Sequence, residues 1–370
     1  MHSSSTHKWT TETEELFFSL IRCSIGKEAK LPVTPTPEQW QELLKLSNEH
    51  TLTGITFVGI QKLPKEQRPQ TNVLLQWYTI CEKIKSINSE LNKKCVIVSQ
   101  KFKQEGFNNC ILKGQGIARL YPSPELRTPG DIDIWLSGGE KKIIDYVKRF
   151  IPDSCPTYHH VDFPIAKGYE IEIHYRPSWM YNPIINKRLQ KFFTRTSDEQ
   201  FTNSIQTPEG EFNTPTPAFN RIYILLHIYR HLFFEGIGLR QMLDYYFLLH
   251  QEITEEERNT YIKQLKQFGI YKFAGAATYA MQQIFGLDEQ HTIIPPNERH
   301  GKFLIREIME AGNFGKYDRR YDLTRHGYSV KRAYETARRN LTLITRYPVE
   351  TLWSPYFKIM HYIWRKRNSR

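Results

Sequence analysis

Gly130-Asp131-Ile132-Asp133-Ile134-Trp135-Leu136 decides how this 370-residue chain is read. Polar and apolar residues alternate with the period of two that a half-buried strand requires. Residues two apart on a strand leave from the same face, so Asp131 and Asp133 stand together while Ile132 and Ile134 turn into a core. Like charges held side by side are costly unless a cation offsets them. Hard divalent cations such as Mg²⁺ are the usual partners of converging carboxylates. A second alternation, Tyr169-Glu170-Ile171-Glu172-Ile173-His174-Tyr175, places Glu170, Glu172 and His174 on one face and Ile171 and Ile173 on the other. Laid beside the first strand, it brings a third acid to the aspartates. Glu172 is favoured over Glu170, as a metal ligand and as the base for an attacking hydroxyl.

Working upstream, Asn109-Cys110-Ile111-Leu112 reads as a short strand. It runs into Lys113-Gly114-Gln115-Gly116 and then into a turn or two of helix over Ile117 to Tyr121. Glycines at such a turn let backbone N–H groups approach a phosphate, and Lys113 adds a cation. Arg127, in the Pro-marked loop before the aspartates, offers a planar donor fork suited to phosphate or to a carboxylate. Downstream, Glu140 to Phe150 reads as a helix. Two strands over Thr157 to Ala166 and Tyr169 to Tyr175 are joined by a Lys167-Gly168 hairpin turn. The expected fold class is therefore α+β, with a small mixed-sheet core over residues 106–180. Helical regions flank it at 1–105 and 181–370. In the first, Thr36 suits an N-cap, with Pro37 at the first helical position and Gln39 completing a capping box. A long helix is expected over Thr71 to Glu105. After residue 181, a weak helix is expected at Asn186 to Phe193, a turn-rich connector at Thr207 to Pro217, and strong helices at Ala218 to Phe234 and Leu239 to His250. A polar stretch is expected at 287–325, and the last helices at Val330 to Thr345 and Pro355 to Arg367.

These motifs resemble the DNA polymerase beta-like nucleotidyltransferase superfamily, which carries a Gly-containing turn, an Asp-x-Asp strand and a third acid on a later strand. More closely, Leu112-Lys113-Gly114, Leu126-Arg127-Thr128-Pro129-Gly130-Asp131-Ile132-Asp133, Glu172-Ile173-His174-Tyr175 and Gly238-Leu239-Arg240-Gln241-Met242-Leu243-Asp244 resemble a bacterial family of largely uncharacterised nucleotidyltransferases. The resemblance spans roughly residues 10–290. It implies triphosphate binding by Lys113, Gly114, Gln115 and Arg127, with Asp131, Asp133 and Glu172 holding two Mg²⁺ ions or Mn²⁺ in their place. His174, Arg240 and Asp244 become candidates for substrate binding; the simpler expectation for Arg240 and Asp244 is an ion pair within one helix. Gln115 stands where the superfamily usually has Ser or Gly. The acceptor, whether small molecule, protein or RNA, stays open. So do two other readings: an inactive nucleotide-binding or protein-interaction module, and an Asp-x-Asp glycosyltransferase.

Composition narrows the setting. Hydrophobic residues are 39% and charged residues 24% of the chain, as in ordinary globular proteins. No run approaches a membrane span and the N-terminus lacks a signal-like apolar core, so the cytoplasm is the expected location. Five cysteines, none in a CxxC pair, argue for reduced thiols. The net charge of +12 is uneven: residues 296–370 hold 17 Lys+Arg against 7 Asp+Glu. An anionic partner or a solvated helix with a cationic end both fit. His227 and His231 are four apart on one helix. That spacing can bind zinc, but with no third ligand evident a structural role is expected.

Overall fold

The computed structural model describes residues 9–163, 169–321 and 330–368. Four helices come first: α1 (Thr11–Ser24), α2 (Pro37–Glu49), α3 (Thr53–Lys62) and α4 (Thr71–Gln104). Next come β1 (Asn109–Leu112), α5 (Gly114–Ala118), β2 (Ile132–Leu136), α6 (Gly139–Lys148), β3 (His160–Asp162) and β4 (Ile171–His174). After α7 (Pro183–Gln200), a hairpin of β5 (Ser204–Thr207) and β6 (Gly210–Asn213) precedes α8 (Pro217–Phe234) and α9 (Leu239–Leu249). The chain ends with α10 (Glu255–Gln267), α11 (Tyr271–Phe285), α12 (Glu298–Ala311), α13 (Val330–Leu343) and α14 (Pro348–Asn368). The class is α+β, a small mixed sheet set among helices. None of the helices among the described residues is long and apolar enough to cross a membrane.

The α2 start forms as its sequence dictates. Thr36 accepts from the Gln39 backbone and Gln39 returns the bond to Thr36, a complete capping box. Thr36 is exposed, so Thr36→Ala is expected to cost about 1 kcal/mol and little else. Urea unfolding would read this as a lower midpoint at unchanged slope.

The sheet runs in the order β1-β2-β4-β3, antiparallel at both ends and parallel between β2 and β4. Its alternation separates two cores. Ile132, Ile134, Leu136, Ile171 and Ile173 join Leu91, Cys95 and Phe102 of α4 and Ile143 and Val147 of α6 in one apolar layer. Each such side chain contributes about 1.5–3 kcal/mol by leaving water. The opposite face carries Asp133 and Trp135, and Trp135 packs on Phe201 and Phe219 at 4.8 and 5.7 Å. There it meets a second, larger core drawn from helices both before and after the sheet, Leu16 and Leu43 with Leu243 and Phe285 among them.

Several elements depart from the sequence reading. The connector at 207–217 is partly the β5–β6 hairpin, turned at Pro208-Glu209. The weak helix at 186–193 is the 18-residue α7, capped by Asn182 and opened by Pro183. The polar stretch at 287–325 contains α12, whose Phe303, Leu304 and Ile308 line one buried face. Pro355 lies inside α14 rather than at its start. The Lys167-Gly168 turn falls outside the described residues. Four cysteines are buried and Cys155 is exposed. Burial pushes the Cys81 and Cys95 thiols up to about 12, so neither offers a thiolate at neutral pH.

Candidate active site

The register assembles the acids. Asp133 pairs across the parallel ladder with Glu172, and across the antiparallel one with Leu112, the residue before Lys113. Asp131 sits immediately before β2, at the solvent-facing mouth. Glu170 is exposed and precedes β4; its carbonyl accepts from the Ile132 N–H. Glu172 is therefore the acid that meets Asp133.

Two cations hold the inner carboxylate. Lys113 Nζ and His174 Nε2 each lie 2.8 Å from Asp133 Oδ1. Lys113 adopts φ +50°, a strained conformation for a side-chain-bearing residue, and Gly114 follows at +37°. Gly116 makes a different accommodation. A Cβ there would stand 2.2 Å from Thr214 Oγ1, so its smallness serves packing against the segment before α8. His174 Nε2 also lies 3.3 Å from Glu172 Oε2, and His160 Nδ1 lies 3.1 Å from the same oxygen.

These contacts set the charges. Burial alone would lower His174, but hydrogen bonds to Asp133 and Glu172 raise it to about 9. Burial would raise Glu172, but hydrogen bonds from His160 and His174 hold it well below the usual carboxylate range. Asp131 moves the other way. Although its side chain reaches solvent, the neighbouring Asp133 charge first, and loss of surrounding water second, raise it to about 6. Uncompensated negative charge thus collects at the mouth.

The loop before the acids is clamped by α9. Arg127 Nε and Nη2 donate to the two carboxylate oxygens of Asp244 at 2.8 and 2.7 Å. Tyr121 Oη donates to the same carboxylate at 2.7 Å. Arg240 Nη1 donates to the carbonyls of Thr128 and Pro129 at 2.8 and 3.0 Å. From the other side, Asn88 of α4 donates to the carbonyls of Glu125 and Arg127. The expected Arg240–Asp244 pair within α9 is thus replaced by two contacts across the fold, and the Arg127 fork is spent on a carboxylate. Gln115 turns from the cleft to donate to Asn92 Oδ1 at 2.7 Å. Lys113, Gly114, Arg127, Asp131, Asp133 and Arg240 still line one cleft, with His227 of α8 among them. His227 Nε2 lies 3.0 Å from His231 Nε2, and no third ligand joins them among the described residues.

His159 and His160 escaped the sequence reading. By sequence they fall within the expected strand over Thr157 to Ala166, and only the register, which sets His160 opposite His174, brings them to the site. The adjacent His-His pair was the available signal.

The donor set fits a divalent cation. Among the described residues the polar contacts of Asp133 fall on Oδ1 and those of Glu172 on Oε2. Asp133 and Glu172 offer ligand atoms within 4.8 Å of one another and of His174, a group that does not include Asp131. Comparison with known proteins follows this geometry. No curated protein matches the chain. Among solved structures, an antigenic nucleotidyltransferase-like protein from Paracoccidioides brasiliensis is similar at 10% identity and a TM-score of 0.30, covering 59% of this chain and 96% of that one. The family model described as "Uncharacterised nucleotidyltransferase" matches residues 36–286, a span that holds the strands, the acids and the α9 clamp, and the chain belongs to that family.

Proposed function

We propose that the protein moves a nucleoside monophosphate from a nucleoside triphosphate to an acceptor hydroxyl or phosphate, with Asp131, Asp133 and Glu172 holding Mg²⁺, or Mn²⁺ in its place. The observation that carries this reading is the parallel register of Asp133 with Glu172, with Asp131 at the mouth. Bound Mg²⁺ supplies charge neutralisation of the triphosphate and a more acidic attacking hydroxyl. The chain's own residues do the positioning. Lys113 and the Gly114 turn stand where the phosphates would lie. Arg240 faces the mouth, 3.9 Å from the position a Gly130 Cβ would take. Its guanidinium is better placed for a phosphate than that of Arg127, whose role is to hold the loop. Glu172 stays ionised under its two histidines, which suits a ligand better than a proton acceptor. In-line attack at the α-phosphorus then expels pyrophosphate, an acceptor hydroxyl losing its proton to solvent, with positioning and electrostatics supplying most of the rate.

Calorimetry of ATP and then the other triphosphates, with and without Mg²⁺, tests this. Wild-type protein is expected to bind only with metal. Asp131→Ala/Asp133→Ala is expected to bind at least about tenfold more weakly, a loss of roughly 1.4 kcal/mol. Asp131→Asn, at an exposed position, gives the same direction without disturbing Lys113 or His174. A folded protein that binds no triphosphate would sink the reading. Binding that ignores metal and acids would instead indicate a scaffold that holds nucleotide without turnover.

A further inference from the structure

Beside the carboxylate face, and in contact with it through Glu172, lies a nitrogen-rich cluster. His159 Nε2 is 3.0 Å from His160 Nδ1, which is 3.1 Å from Glu172 Oε2, which is 3.3 Å from His174 Nε2. One ring nitrogen from each histidine lies within 4.8 Å of those of the other two. A tetrahedral centre with metal–nitrogen bonds of about 2.0–2.1 Å sets its ligands about 3.3 Å apart. The His159–His160 contact is close to that spacing, and the His174 ring completes the group. Hydrogen bonding serves the cluster poorly. His160 Nδ1 faces both a carboxylate oxygen and a second imidazole nitrogen, and one N–H cannot satisfy both well. His174 Nδ1 is buried with no partner among the described residues. Imidazole ligands favour borderline d-block ions over Mg²⁺, which prefers oxygen.

We infer that His159, His160 and His174 form a binding site for a Zn²⁺-class divalent ion, next to the hard-cation face. The site stands on its own geometry and does not need nucleotidyl transfer to be correct. It would tie β3 to β4 and fix the orientation of Glu172.

Metal-free full-length protein is titrated with Co²⁺, read by visible absorption, and with Zn²⁺, read by calorimetry. One equivalent per chain is expected, with the strong d–d bands of a four-coordinate site. His159→Asn/His160→Asn is expected to weaken binding at least about tenfold. Trp179 packs on His159 at a ring separation of 3.9 Å, so single His160→Asn serves where the double variant unfolds. Asp131→Asn should leave the Co²⁺ spectrum unchanged while weakening Mg²⁺-dependent nucleotide binding. Wild-type protein that takes up neither ion, or histidine variants with unchanged bands and affinity, overturns the site. So does a Co²⁺ spectrum that depends on Asp131 and not on the histidines. An intact Co²⁺ site in a protein that binds no Mg²⁺-nucleotide would sink the transfer reading alone.

Discussion

Asp244→Ala is expected to lose about 3–5 kcal/mol of folding stability, because it leaves a buried guanidinium without its counterion. Arg127 is 4% exposed and both oxygens of Asp244 accept from it, so the pair exchanges a full bidentate interaction for none. Tyr121, 3% exposed, loses its acceptor in the same change. Water has little access to replace either bond. Denaturant unfolding reads the loss directly, and a double-mutant cycle with Arg127→Met separates the pair from its surroundings. Removing both charges is expected to restore much of what Asp244→Ala alone costs, since a buried ion pair is worth little against an apolar pair of similar volume. If Asp244→Ala unfolds with the wild-type midpoint, the clamp is not what holds the loop.

Glu350→Ala should cost a similar amount, about 3–5 kcal/mol, at a second buried ion pair. Glu350, 2% exposed, accepts from Arg230 at 2.8 Å and from the backbone N–H groups of Tyr181 and Asn182. Arg230 is buried against Tyr181 and Trp179, at 3.9 and 4.8 Å from their ring centres. The carboxylate therefore joins α14 to α8 and to the turn before α7. Burial raises its pKa despite the attraction of Arg230. Desolvation thus outweighs the charge attraction, and Glu350→Gln, which keeps acceptor and shape, should cost distinctly less than Glu350→Ala. Equal losses for the two would mean that the charge itself carries the contact. Far from this carboxylate, Trp364 of α14 donates to Glu140 Oε1 at 3.0 Å, so the basic C-terminal helix docks back on the α/β core. Its Leu352, Ile359 and Tyr362 remain exposed.

What could be read from sequence was what depends on near neighbours. The period-two alternation over 131–136 gave the strand and its two faces. Thr36, Pro37 and Gln39 gave a helix start with its hydrogen bonds, and Lys113-Gly114 gave the turn. What could not be read depends on partners far along the chain. Nothing near Arg127 says that its fork will close on Asp244, 117 residues on. Nothing near Arg240 says that it will hold the carbonyls of Thr128 and Pro129 rather than the carboxylate one turn away. The β5–β6 hairpin was hidden by short polar strands around Pro208, and α12 by a polar exterior over a buried face that its own periodicity displays.

The α9 clamp also governs when the site can exist. The loop that presents Asp131 is held by residues made more than a hundred positions later. A ribosome that has released the whole sheet still carries a chain whose Arg127 has no counterion and whose Thr128 and Pro129 carbonyls have no donor. The sheet register pairs Asp133 with Glu172, but the loop that carries Asp131 gains its far partners only once α9 has emerged and packed. Chains cut short before Asp244 would be born without an ordered mouth. The same dependence constrains heredity: a gene fragment encoding the strands alone could not transplant the site into another protein, because the part that steadies it is written elsewhere.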